Sequence, residues 1–537
     1  MLFLKIRNMK TDSFFLFLII LLSIGIGYMF GSNKLGTSNS QPITNSNVQK
    51  LNTLVSYLAN DYVDKINTDS LVGVVIKSIV NELDPHSVYI PEIQQQSLSE
   101  SMQGNFMGIG VSFFMVQDTI AVVRVLEEGP SEKAGLKSGD RILILDQDTL
   151  YQKNLSSADI ISKLKGSSVA PIQLSVYRKK SDSIFIFNFS RGPVPLPSVS
   201  SSYMINDETG YIKINRFSQT TYTEFSIALQ SLVNQEIQHL ILDLRGNPGG
   251  YLLPAKQIAD DFLSNQKPIV IVESNNGIRE RTVASSMGLF EKGSLFVLVD
   301  ENSASASEVI AGAIQDNDRG LIIGRRTFGK GLVQQQMPLG GGDQIRLTTA
   351  RYYTPTGRSI QRPYDASNRD AYYTEVQERY TTGEMKDETQ IPVNDSLVFT
   401  TPKGRKVFGG GGVSPDLYIS SKDSPEEMWN NYFLRSNVLN NFIFLEMDSN
   451  PKKYNFKNSA QFFNEPLPYK EDFIEAFKTY CAENSFPIEI NDKNEAIFLN
   501  SAKAFIAIQL FDENLYNRIV NQKDPFIQKV LDAIDGS

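Results

Sequence analysis

Residues 301–314 read ENSASASEVIAGAI, and residues 327–334, a short distance further along the chain, read TFGKGLVQ. The first stretch follows an apolar run at 295–299, and its own apolar residues from 309 to 314 recur with helical period. Ser305 and Glu308 have the spacing of a capping box at the start of that helix. We therefore expect a strand, a turn and a helix, with Ser305 beside the N–H groups that have no partner within the helix.

The serine and the lysine of these two stretches form a candidate catalytic pair. Free N–H groups at a helix start can hold an oxyanion, and Lys330, between two glycines on another element, could supply the base. Burial beside Phe328 and Leu332 would lower the pKa of the amine towards neutrality, because desolvation disfavours its charge. Gln334 could orient the amine without adding charge, provided that the chain bends near Gly331, since a straight strand would separate them by about 13 Å. The hypothesis is a serine peptidase that uses lysine as its base.

Other interpretations of both stretches exist. Spacing alone does not choose among Ser303, Ser305 and Ser307 as the nucleophile, and Ser305 could simply cap a helix. Lys330 could be a solvated turn residue. Residues 324–331 (GRRTFGKG) also come close to a phosphate-binding P-loop, but a glycine stands where serine or threonine should bind Mg²⁺ and no helical pattern follows.

Composition restricts the classes of function. The chain has 537 residues, of which 41% are hydrophobic, and its net charge is −8 with no basic block, so we expect no nucleic-acid partner. Cys481 is the only cysteine, which excludes an intramolecular disulfide and a cysteine-based zinc cluster. The two histidines, His86 and His239, are too few for a three-histidine metal site and lie in contexts that suit structure. We expect no metal and no other cofactor.

The N-terminus predicts the location. Three basic residues within the first ten precede an apolar stretch that ends at Phe30, long enough to span a bilayer as a helix. Basic residues before the span place the bulk of the chain outside the cytoplasm, at the cell inner membrane and in the periplasm. No convincing cleavage site follows, so an uncleaved anchor is favoured over a removed signal peptide. The segments are a cytoplasmic basic segment at 1–12, a transmembrane segment at 13–31 and a linker at 32–50.

A compact β-rich unit follows an N-terminal helical region. Residues 51–98 carry amphipathic helical patterns, and residues 99–183 carry strand patterns with the motifs FMGIGV at 106–111 and AGLKSGDRI at 134–142. These motifs resemble those of a PDZ domain, a β-sandwich-like fold. The resemblance implies that a peptide tail adds as a strand while backbone amides bind its carboxylate. The residues concerned are Gly108, Ile109, Gly110 and Val111. The alternative is a glycine-rich bulge without a ligand.

Strands and helices alternate from 193 to 420, which predicts an α/β core with a mainly parallel central sheet. Sites in such sheets lie beyond the carboxyl ends of the strands, where both Ser305 and the glycine turn at 245–250 fall. A polar insertion at 364–406 interrupts this core, and residues 421–537 carry the pattern of a C-terminal helical extension. The predicted core strands are at 210–214, 239–244, 269–272, 295–299 and 321–323.

Taken together, the motifs resemble those of the carboxyl-terminal processing (tail-specific) serine peptidases over about residues 51–420. The resemblance implies an endopeptidase that cleaves proteins near their C-termini, with Ser305 as nucleophile, Lys330 as general base and Gln334 as its orienter. The N–H groups of Ala306 and Gly249 would form the oxyanion hole. The matching motifs are SASASEVIAGAIQD from 303, TFGKGLVQ from 327, LDLRGNPGG from 242, ARYYTPTGRSIQ from 350 and GGVSPD from 411.

The partners that follow from this interpretation are protein substrates with accessible apolar C-terminal tails and, through the N-terminal helix, the membrane. A homo-oligomer or an adaptor protein is a further option that the sequence leaves open. The alternative function is a catalytically inactive PDZ adaptor that keeps the peptidase fold. The presence of all three residues at 305, 330 and 334 argues against it.

Overall fold

The computed structural model describes residues 46–166, 168–365, 368–421, 425–435, 437–486 and 488–536. The predicted cytoplasmic and transmembrane segments, and most of the predicted linker, lie outside these ranges. Within the ranges, no helix combines the length and the apolar character needed to cross a bilayer. The chain forms two compact units, which meet between Ser78 and Ile79 in sequence.

The described part of the first unit contains one helix and the start of a second, joined by a non-helical segment at 61–67. Helix α1 (Ser46–Asn60) begins inside the segment predicted as a linker, and helix α2 (Thr68–Asn81) starts within this unit. Asp69 lies in the first turn of α2, where a negative charge is favourable next to the helix N-terminus. Both helices fall where the sequence pattern indicated amphipathic helices.

The second unit opens with strand β1 (Val88–Ile90) and helix α3 (Glu92–Gln103), which lead into the β-rich part that the PDZ motifs predicted. Its strands and helices are β2 (Asn105–Gly108), β3 (Val111–Val116), β4 (Thr119–Val125), α4 (Pro130–Ala134), β5 (Asp140–Leu145), β6 (Asp148–Thr149), α5 (Ser157–Leu164), β7 (Pro171–Arg178), β8 (Ser183–Ser190) and β9 (Gly192–Pro195).

One twisted sheet and the two helices enclose the core of this part. The sheet has the order β3-β4-β5-β7-β8, with β6 on β5, so β3 is an edge strand. In β7, Ile172, Leu174 and Val176 are buried and alternate with more exposed residues, which is the period-2 pattern of a sheet with one face on the core. Strand β2 pairs outside this sheet, antiparallel with β9.

The α/β core follows β9. Its elements up to residue 353 are β10 (Val199–Met204), β11 (Thr209–Ile214), α6 (Thr221–Val233), β12 (His239–Asp243), α7 (Leu252–Asp260), β13 (Pro268–Ser274), β14 (Arg279–Val283), β15 (Ser294–Val299), α8 (Ala306–Asp316), β16 (Leu321–Gly324), β17 (Leu332–Gly340) and β18 (Asp343–Tyr353).

The remaining elements form the insertion, the last core strand and the C-terminal extension. They are α9 (Arg369–Thr381), β19 (Val398–Thr400), β20 (Lys406–Phe408), β21 (Leu417–Tyr418), α10 (Pro425–Arg435), α11 (Asn437–Ser449), α12 (Ser459–Asn464), α13 (Lys470–Glu483), α14 (Glu495–Leu510), α15 (Glu513–Asn521) and α16 (Pro525–Asp535).

The central sheet is mixed rather than purely parallel. Its order is β10-β11-β12-β15-β16-β21; the four pairs from β11 to β21 are parallel, whereas β10 pairs antiparallel with β11. Leu242 and Val297 pack against α6, α7 and α8 on one face, and Ile241 and Leu298 pack against α16 on the other. Burial of both faces explains the nearly continuous apolar runs of these strands.

A second, antiparallel sheet corrects one part of the prediction. The strand predicted at 269–272 is present as β13, but it pairs with β14 and β18 and is not part of the central sheet. Strand β17 pairs with β18 along most of its length, and β1 pairs with the other edge of β18. Alternation along the sequence predicted the strand correctly but could not predict its partners, because these lie far away in the chain. Lys330 lies two residues before the start of β17.

The C-terminal extension has its own apolar core and also contacts both neighbouring parts. Rings of Phe433, Phe477 and Phe498 pack together inside it. On α11, Phe444 packs edge to face against Phe114 of β3, and Asp448 accepts a hydrogen bond from Arg141 of β5 at 2.7 Å. Helix α16 covers the central sheet. The extension therefore bridges the β-rich part and the core.

Candidate active site

The turn between β15 and α8 separates the three candidate serines by environment. Ser303 and Ser307 are fully buried, and their hydroxyls donate to the carbonyl oxygens of Leu244 (2.8 Å) and Asn247 (3.0 Å). These two serines tie the turn to the segment that follows β12. Ser305 lies between them and lines a cleft of about 870 Å³. The local structure thus leaves Ser305 as the serine of the three that faces the cleft.

Ser305 has an unusual backbone conformation. Its φ of 55° and ψ of −110° lie outside the regions that residues with a side chain commonly occupy, at a cost of about 1–3 kcal/mol. Two groups hold it there. Its N–H donates to the Glu308 carboxylate at 2.8 Å, and the Tyr352 hydroxyl lies 2.9 Å from its carbonyl oxygen. The S-x-x-E spacing that predicted a capping box therefore fixes the backbone of the candidate nucleophile.

The predicted oxyanion residues lie next to Ser305. Ala306 is the first residue of α8, so its N–H has no partner within the helix. Gly249 has a φ of 95°, and a side chain there would put Cβ 2.8 Å from the Ser305 Cβ and 3.0 Å from the Ala306 nitrogen. Only glycine allows the two turns to approach this closely. The Gly249 N–H itself donates to the Asn247 side-chain oxygen at 2.8 Å.

Lys330 and Gln334 make the contact that the sequence predicted. The amine donates to the Gln334 side-chain oxygen at 2.8 Å, and the Gln334 amide donates to the carbonyl oxygen of His86 at 2.5 Å. The chain does bend before Gln334, since β17 begins only at Leu332 and the pairing with β18 shifts register between Val333 and Gln334. This irregularity brings Gln334 back towards the amine.

Burial dominates the electrostatics of the amine. Desolvation, followed by the positive charge of Arg346, lowers the pKa of Lys330 to about 8, while the charges of Glu308 and Asp84 act in the opposite direction. Burial and the charge of Lys330 lower the pKa of His86 to about 3, so this ring is neutral at ordinary pH. The His86 ring nitrogen Nε2 lies 2.7 Å from the Tyr372 hydroxyl.

Glu308 joins the turn that carries Ser305 (residues 300–305, the serine turn) to the segment that carries Lys330 (residues 325–331, the lysine loop). The sequence did not indicate this role. Its fully buried carboxylate accepts hydrogen bonds from the Thr327 hydroxyl (2.6 Å), the Gly329 N–H (2.7 Å) and the Lys330 N–H (2.9 Å), as well as from Ser305. Burial raises the pKa of Glu308, although these hydrogen bonds oppose the shift. The S-x-x-E spacing marked the residue, but nothing in the sequence indicated its second set of partners.

Tyr352 bridges the same two segments from the other side. Its hydroxyl lies 2.6 Å from the Lys330 carbonyl oxygen and 2.9 Å from that of Ser305, and it can donate to either. The side chain is almost completely buried on β18. The backbones of Ser305 and Lys330 are thus held through one shared carboxylate and one shared hydroxyl. This arrangement fixes the relative position of the two candidate catalytic residues.

The insertion supports the segment just before Lys330. Arg379 of α9 is buried, with Nη1 donating to the carbonyl oxygens of Arg326 and Thr327, both at 3.0 Å, and Nη2 donating to that of Phe328 at 3.3 Å. The Arg362 guanidinium stacks over the ring of Phe328 at 4.0 Å and over that of Tyr372 on α9. The sequence marked residues 364–406 as an insertion without indicating this contact.

All five residues predicted for the peptidase site line the same cleft: Ser305, Ala306, Gly249, Lys330 and Gln334. The four residues predicted to bind a peptide carboxylate do not line it. Gly108 ends β2, and the carbonyl oxygens of Ile109 and Gly110 accept hydrogen bonds from Ser131 (2.9 Å) and Leu126 (2.9 Å). Gly110 has a φ of 80°, which glycine adopts without strain. Val111 begins the edge strand β3.

Family models match the α/β core and the β-rich part of this chain. A family model described as peptidase family S41 matches residues 208–365, and a PDZ domain model matches residues 107–185. The carboxy-terminal processing protease CtpB of Bacillus subtilis is 32% identical over 318 residues, which cover 59% of this chain and 66% of that relative. The carboxy-terminal-processing protease of Bartonella bacilliformis is 32% identical over 333 residues, which cover 60% of this chain and 75% of that relative.

Among solved structures, a photosystem II D1 C-terminal processing protease is 25% identical to this chain. The match covers 69% of this chain and 86% of that one, with a TM-score of 0.37.

Proposed function

This chain belongs to peptidase family S41 and is a serine peptidase of the carboxy-terminal processing type, and we propose that it cleaves peptide bonds with Ser305 as nucleophile and Lys330 as general base. One observation carries this assignment. The Lys330 amine lies in the same cleft as Ser305, and its pKa is lowered to about 8 while a neutral amide binds it. An amine in that state is uncharged in a useful fraction of molecules near neutral pH and can accept a proton.

In the first half of the reaction, neutral Lys330 takes the proton of the Ser305 hydroxyl as the oxygen attacks the scissile carbonyl carbon. The new C–O bond converts the carbonyl to a tetrahedral oxyanion. The C–N bond then breaks, and the Lys330 ammonium returns its proton to the departing amine, which leaves an ester on Ser305. Gln334 orients the amine through a hydrogen bond. Because the amide is neutral, it does not raise the pKa of the amine as a carboxylate would.

In the second half, a water molecule attacks the ester. Lys330 accepts a proton from that water and returns it to the Ser305 oxygen as the second product, a peptide with a new C-terminal carboxyl group, leaves. No net proton is gained or lost by the site in one turnover. The strained backbone at Ser305 holds the hydroxyl in the cleft throughout, because Glu308 binds the Ser305 N–H and Tyr352 binds its carbonyl oxygen.

We assign the oxyanion to the Ala306 N–H and to the glycine turn beside it. The positive end of α8 favours negative charge at that place. Gly249 can contribute its N–H only if it exchanges its present partner, the Asn247 side-chain oxygen, for the oxyanion. Substitution of Asn247 by Ser or Asp therefore tests whether this amide takes part.

The PDZ domain is proposed to capture the substrate tail. Strand β3 is the edge of its sheet, so an extended tail can add to it by main-chain hydrogen bonds. The tail carboxylate would bind at the backbone of Gly108, Ile109, Gly110 and Val111, which precede and begin this strand. The substrates expected are proteins with accessible, unstructured, apolar C-termini.

Membrane anchoring through residues 13–31, with the bulk of the chain in the periplasm, is part of the same proposal. It rests on the charge asymmetry and length of the apolar stretch in the sequence. Fractionation of cells, followed by protease treatment of spheroplasts, tests it. Recovery of the full-length chain in the soluble cytoplasmic fraction would contradict it.

The catalytic assignment is tested with a folded reporter protein that carries an apolar, unstructured tail. The native chain should cleave the tail, while Ser305→Ala and Lys330→Ala should reduce kcat by several orders of magnitude. Ser286→Ala is the matched control, since it removes the hydroxyl of an exposed serine that does not line the cleft. The rate of the native chain should rise with pH through about 8 as Lys330 loses its proton. Equal cleavage by the native chain and both site variants would refute the dyad.

A further inference from the structure

The catalytic cleft carries positive charge without acidic neighbours on its walls. Arg216, Lys330 and Arg346 line it, and none of the described residues that form its lining is aspartate or glutamate. The chain as a whole has a net charge of −8, so the cleft differs in sign from the average of the molecule. Glu308 is close by, but it is buried beneath the cleft and its oxygens already accept four hydrogen bonds.

Arg346 lies on the same side of the antiparallel sheet as the base. In the β17–β18 pairing, Gln334 is opposite Thr348 and Gln336 is opposite Arg346. Opposite residues of an antiparallel pair project to the same face, and so do residues two apart on one strand. The Arg346 side chain therefore shares a face with Gln334, whose amide binds the Lys330 amine. The depressed pKa of Lys330, to which the Arg346 charge contributes, agrees with this proximity.

The Arg346 guanidinium is an unmatched charge. In the part of the chain that the structure describes, it has no hydrogen-bond partner and no ion-pair partner, although it is partly buried. Other arginines of the core are neutralised: Arg358 pairs with Asp316 at 2.8 Å, and Arg326 pairs with Glu384 at 2.6 Å. The Arg346 donors face the cleft, where a ligand carboxylate can replace the water that otherwise hydrates them.

We propose that Arg346 binds a carboxylate of the substrate inside the catalytic cleft, so that the peptidase selects peptides with an anionic group close to the scissile bond. The proposal rests on the proposed function and names the substrate class of the same site. A planar guanidinium binds a carboxylate through two parallel hydrogen bonds, which gives direction as well as strength. The carboxylate belongs either to an aspartate or glutamate side chain or to the terminus of a tail short enough to end in the cleft.

Arg216 adds positive charge on another wall of the cleft. One of its Nη groups donates to the Leu196 carbonyl oxygen at 2.5 Å, which anchors the side chain. Its Nε is buried and has no hydrogen-bond partner among the described residues. Arg216 is thus already partly engaged by the protein, whereas the Arg346 guanidinium donates to no other group in the described ranges of the chain. For this reason the selection is assigned to Arg346.

The test compares three peptides of equal length in cleavage by the full chain. The first has neutral residues around the cleavage site and an amidated C-terminus, the second has one glutamate beside the cleavage site and an amidated C-terminus, and the third is the first with a free C-terminus. Native enzyme should have a kcat/KM about tenfold higher for at least one of the two anionic peptides, as expected for a charge-assisted contact in a partly solvated cleft. Arg346→Gln should remove that preference, measured as the ratio of kcat/KM between each anionic peptide and the neutral peptide.

The two anionic peptides separate the sources of the carboxylate. Loss of preference for the glutamate peptide alone identifies a side-chain carboxylate, and loss for the free-terminus peptide alone identifies a terminal one. A preference for the free terminus that persists in Arg346→Gln excludes that terminus as the ligand of Arg346, and if it is the one preference that the native enzyme shows, it overturns the proposal. Because Arg346 also lowers the pKa of Lys330, all rates are compared on the alkaline plateau of each variant's own pH profile.

Two further variants control for charge and for position. Arg281→Gln removes an exposed arginine from the same sheet, on a strand that does not line the cleft, and should preserve every preference. Arg346→Lys should retain part of the preference because it keeps the charge. Binding of the same peptides to the Ser305→Ala chain, followed by fluorescence anisotropy, tests the subsite even if no peptide is cleaved. Equal use of all three peptides by native enzyme, or an unchanged glutamate preference in Arg346→Gln, would overturn the proposal.

Discussion

The Lys330 amine donates a hydrogen bond to the side-chain oxygen of Gln334 at 2.8 Å, so a neutral amide orients the proposed base. The amide is fixed in turn by the His86 carbonyl oxygen, which accepts a hydrogen bond from its nitrogen. A carboxylate in the same position would make the same contact but would stabilise the ammonium form. A neutral residue at 334 therefore leaves the pKa of Lys330 low, where burial places it, while it orients the amine.

Gln334→Glu should shift the pH–rate profile to higher pH. An opposite charge at this distance raises the pKa of a lysine by about 1–3 units, so less of the amine is neutral at pH 7–8. We expect kcat/KM at pH 7 to fall at least about tenfold and to recover partly at alkaline pH. Gln335→Glu, on the exposed neighbour, is the control for an added charge without the direct contact. An unshifted profile in Gln334→Glu would show that residue 334 does not act on the base.

Lys330→Met should stabilise the core at neutral pH while it abolishes activity. The folded-state pKa of Lys330 is lowered to about 8 from 10.5, so between these values the unfolded chain binds more protons than the folded one. The native chain therefore gains stability as pH rises through this window, by about 3 kcal/mol for the shift cited. The methionine variant lacks that gain, and the difference in Tm between the two should narrow from pH 7 to pH 10.

Calorimetry of both proteins across that range checks this prediction, with Lys403→Met, which removes an exposed lysine, as the matched control. A Tm difference that stays constant between pH 7 and pH 10 would mean that the amine is not held in an unfavourable environment.

Glu308→Ala should impair catalysis more than its distance from the substrate suggests. The substitution leaves the N–H groups of Ser305, Gly329 and Lys330 and the Thr327 hydroxyl without their acceptor. Each unsatisfied buried group costs about 1–3 kcal/mol, and the serine turn and lysine loop lose their common anchor. A fall in kcat of roughly a hundredfold or more is expected, with KM changed less. Retention of kcat in a variant that remains folded would refute a positioning role.

Arg379→Lys tests whether the insertion positions the base. Lysine keeps the charge but cannot reach the three carbonyl oxygens of Arg326, Thr327 and Phe328 with a planar fork. We expect kcat to fall roughly tenfold and the pH profile to move, because the loop that carries Lys330 is displaced. Gln377→Ala, an exposed change on the same helix, should leave both unchanged. A loss of stability with an unaltered profile would assign Arg379 to folding alone.

The residues predicted for the candidate site lie in short motifs, and the family resemblance of those motifs chose Ser305 among the three serines. Ser305 and Ala306 follow a strand and begin a helix, and the apolar period of α8 is visible in the sequence. Lys330 and Gln334 are four residues apart, and the glycine between them allowed the bend that joins them. Local chemistry of this kind is encoded by neighbours in the chain.

The residues that hold the candidate site in place could not be predicted from the sequence, because they contact it from positions far away in the chain. Tyr352 is 47 residues from Ser305, and His86 is 248 residues from Gln334. The sheet partners of β13 and the hydrogen bonds of Arg379 also follow from tertiary packing alone. No periodicity or motif indicates which carbonyl oxygens a distant arginine reaches. The second sheet and the insertion's contact with the lysine loop were therefore missed.

The contact between Phe444 and Phe114 limits how the PDZ domain can move. The PDZ domain is continuous with the core through β9, and its outer sheet face is also clamped by α11, where Asp448 holds Arg141. The same extension is fastened to the core by Asp524, which pairs with Arg245 at 2.8 Å. Any displacement of the PDZ domain relative to the core must therefore break these contacts or move α11 with it, so the C-terminal extension restrains the PDZ domain.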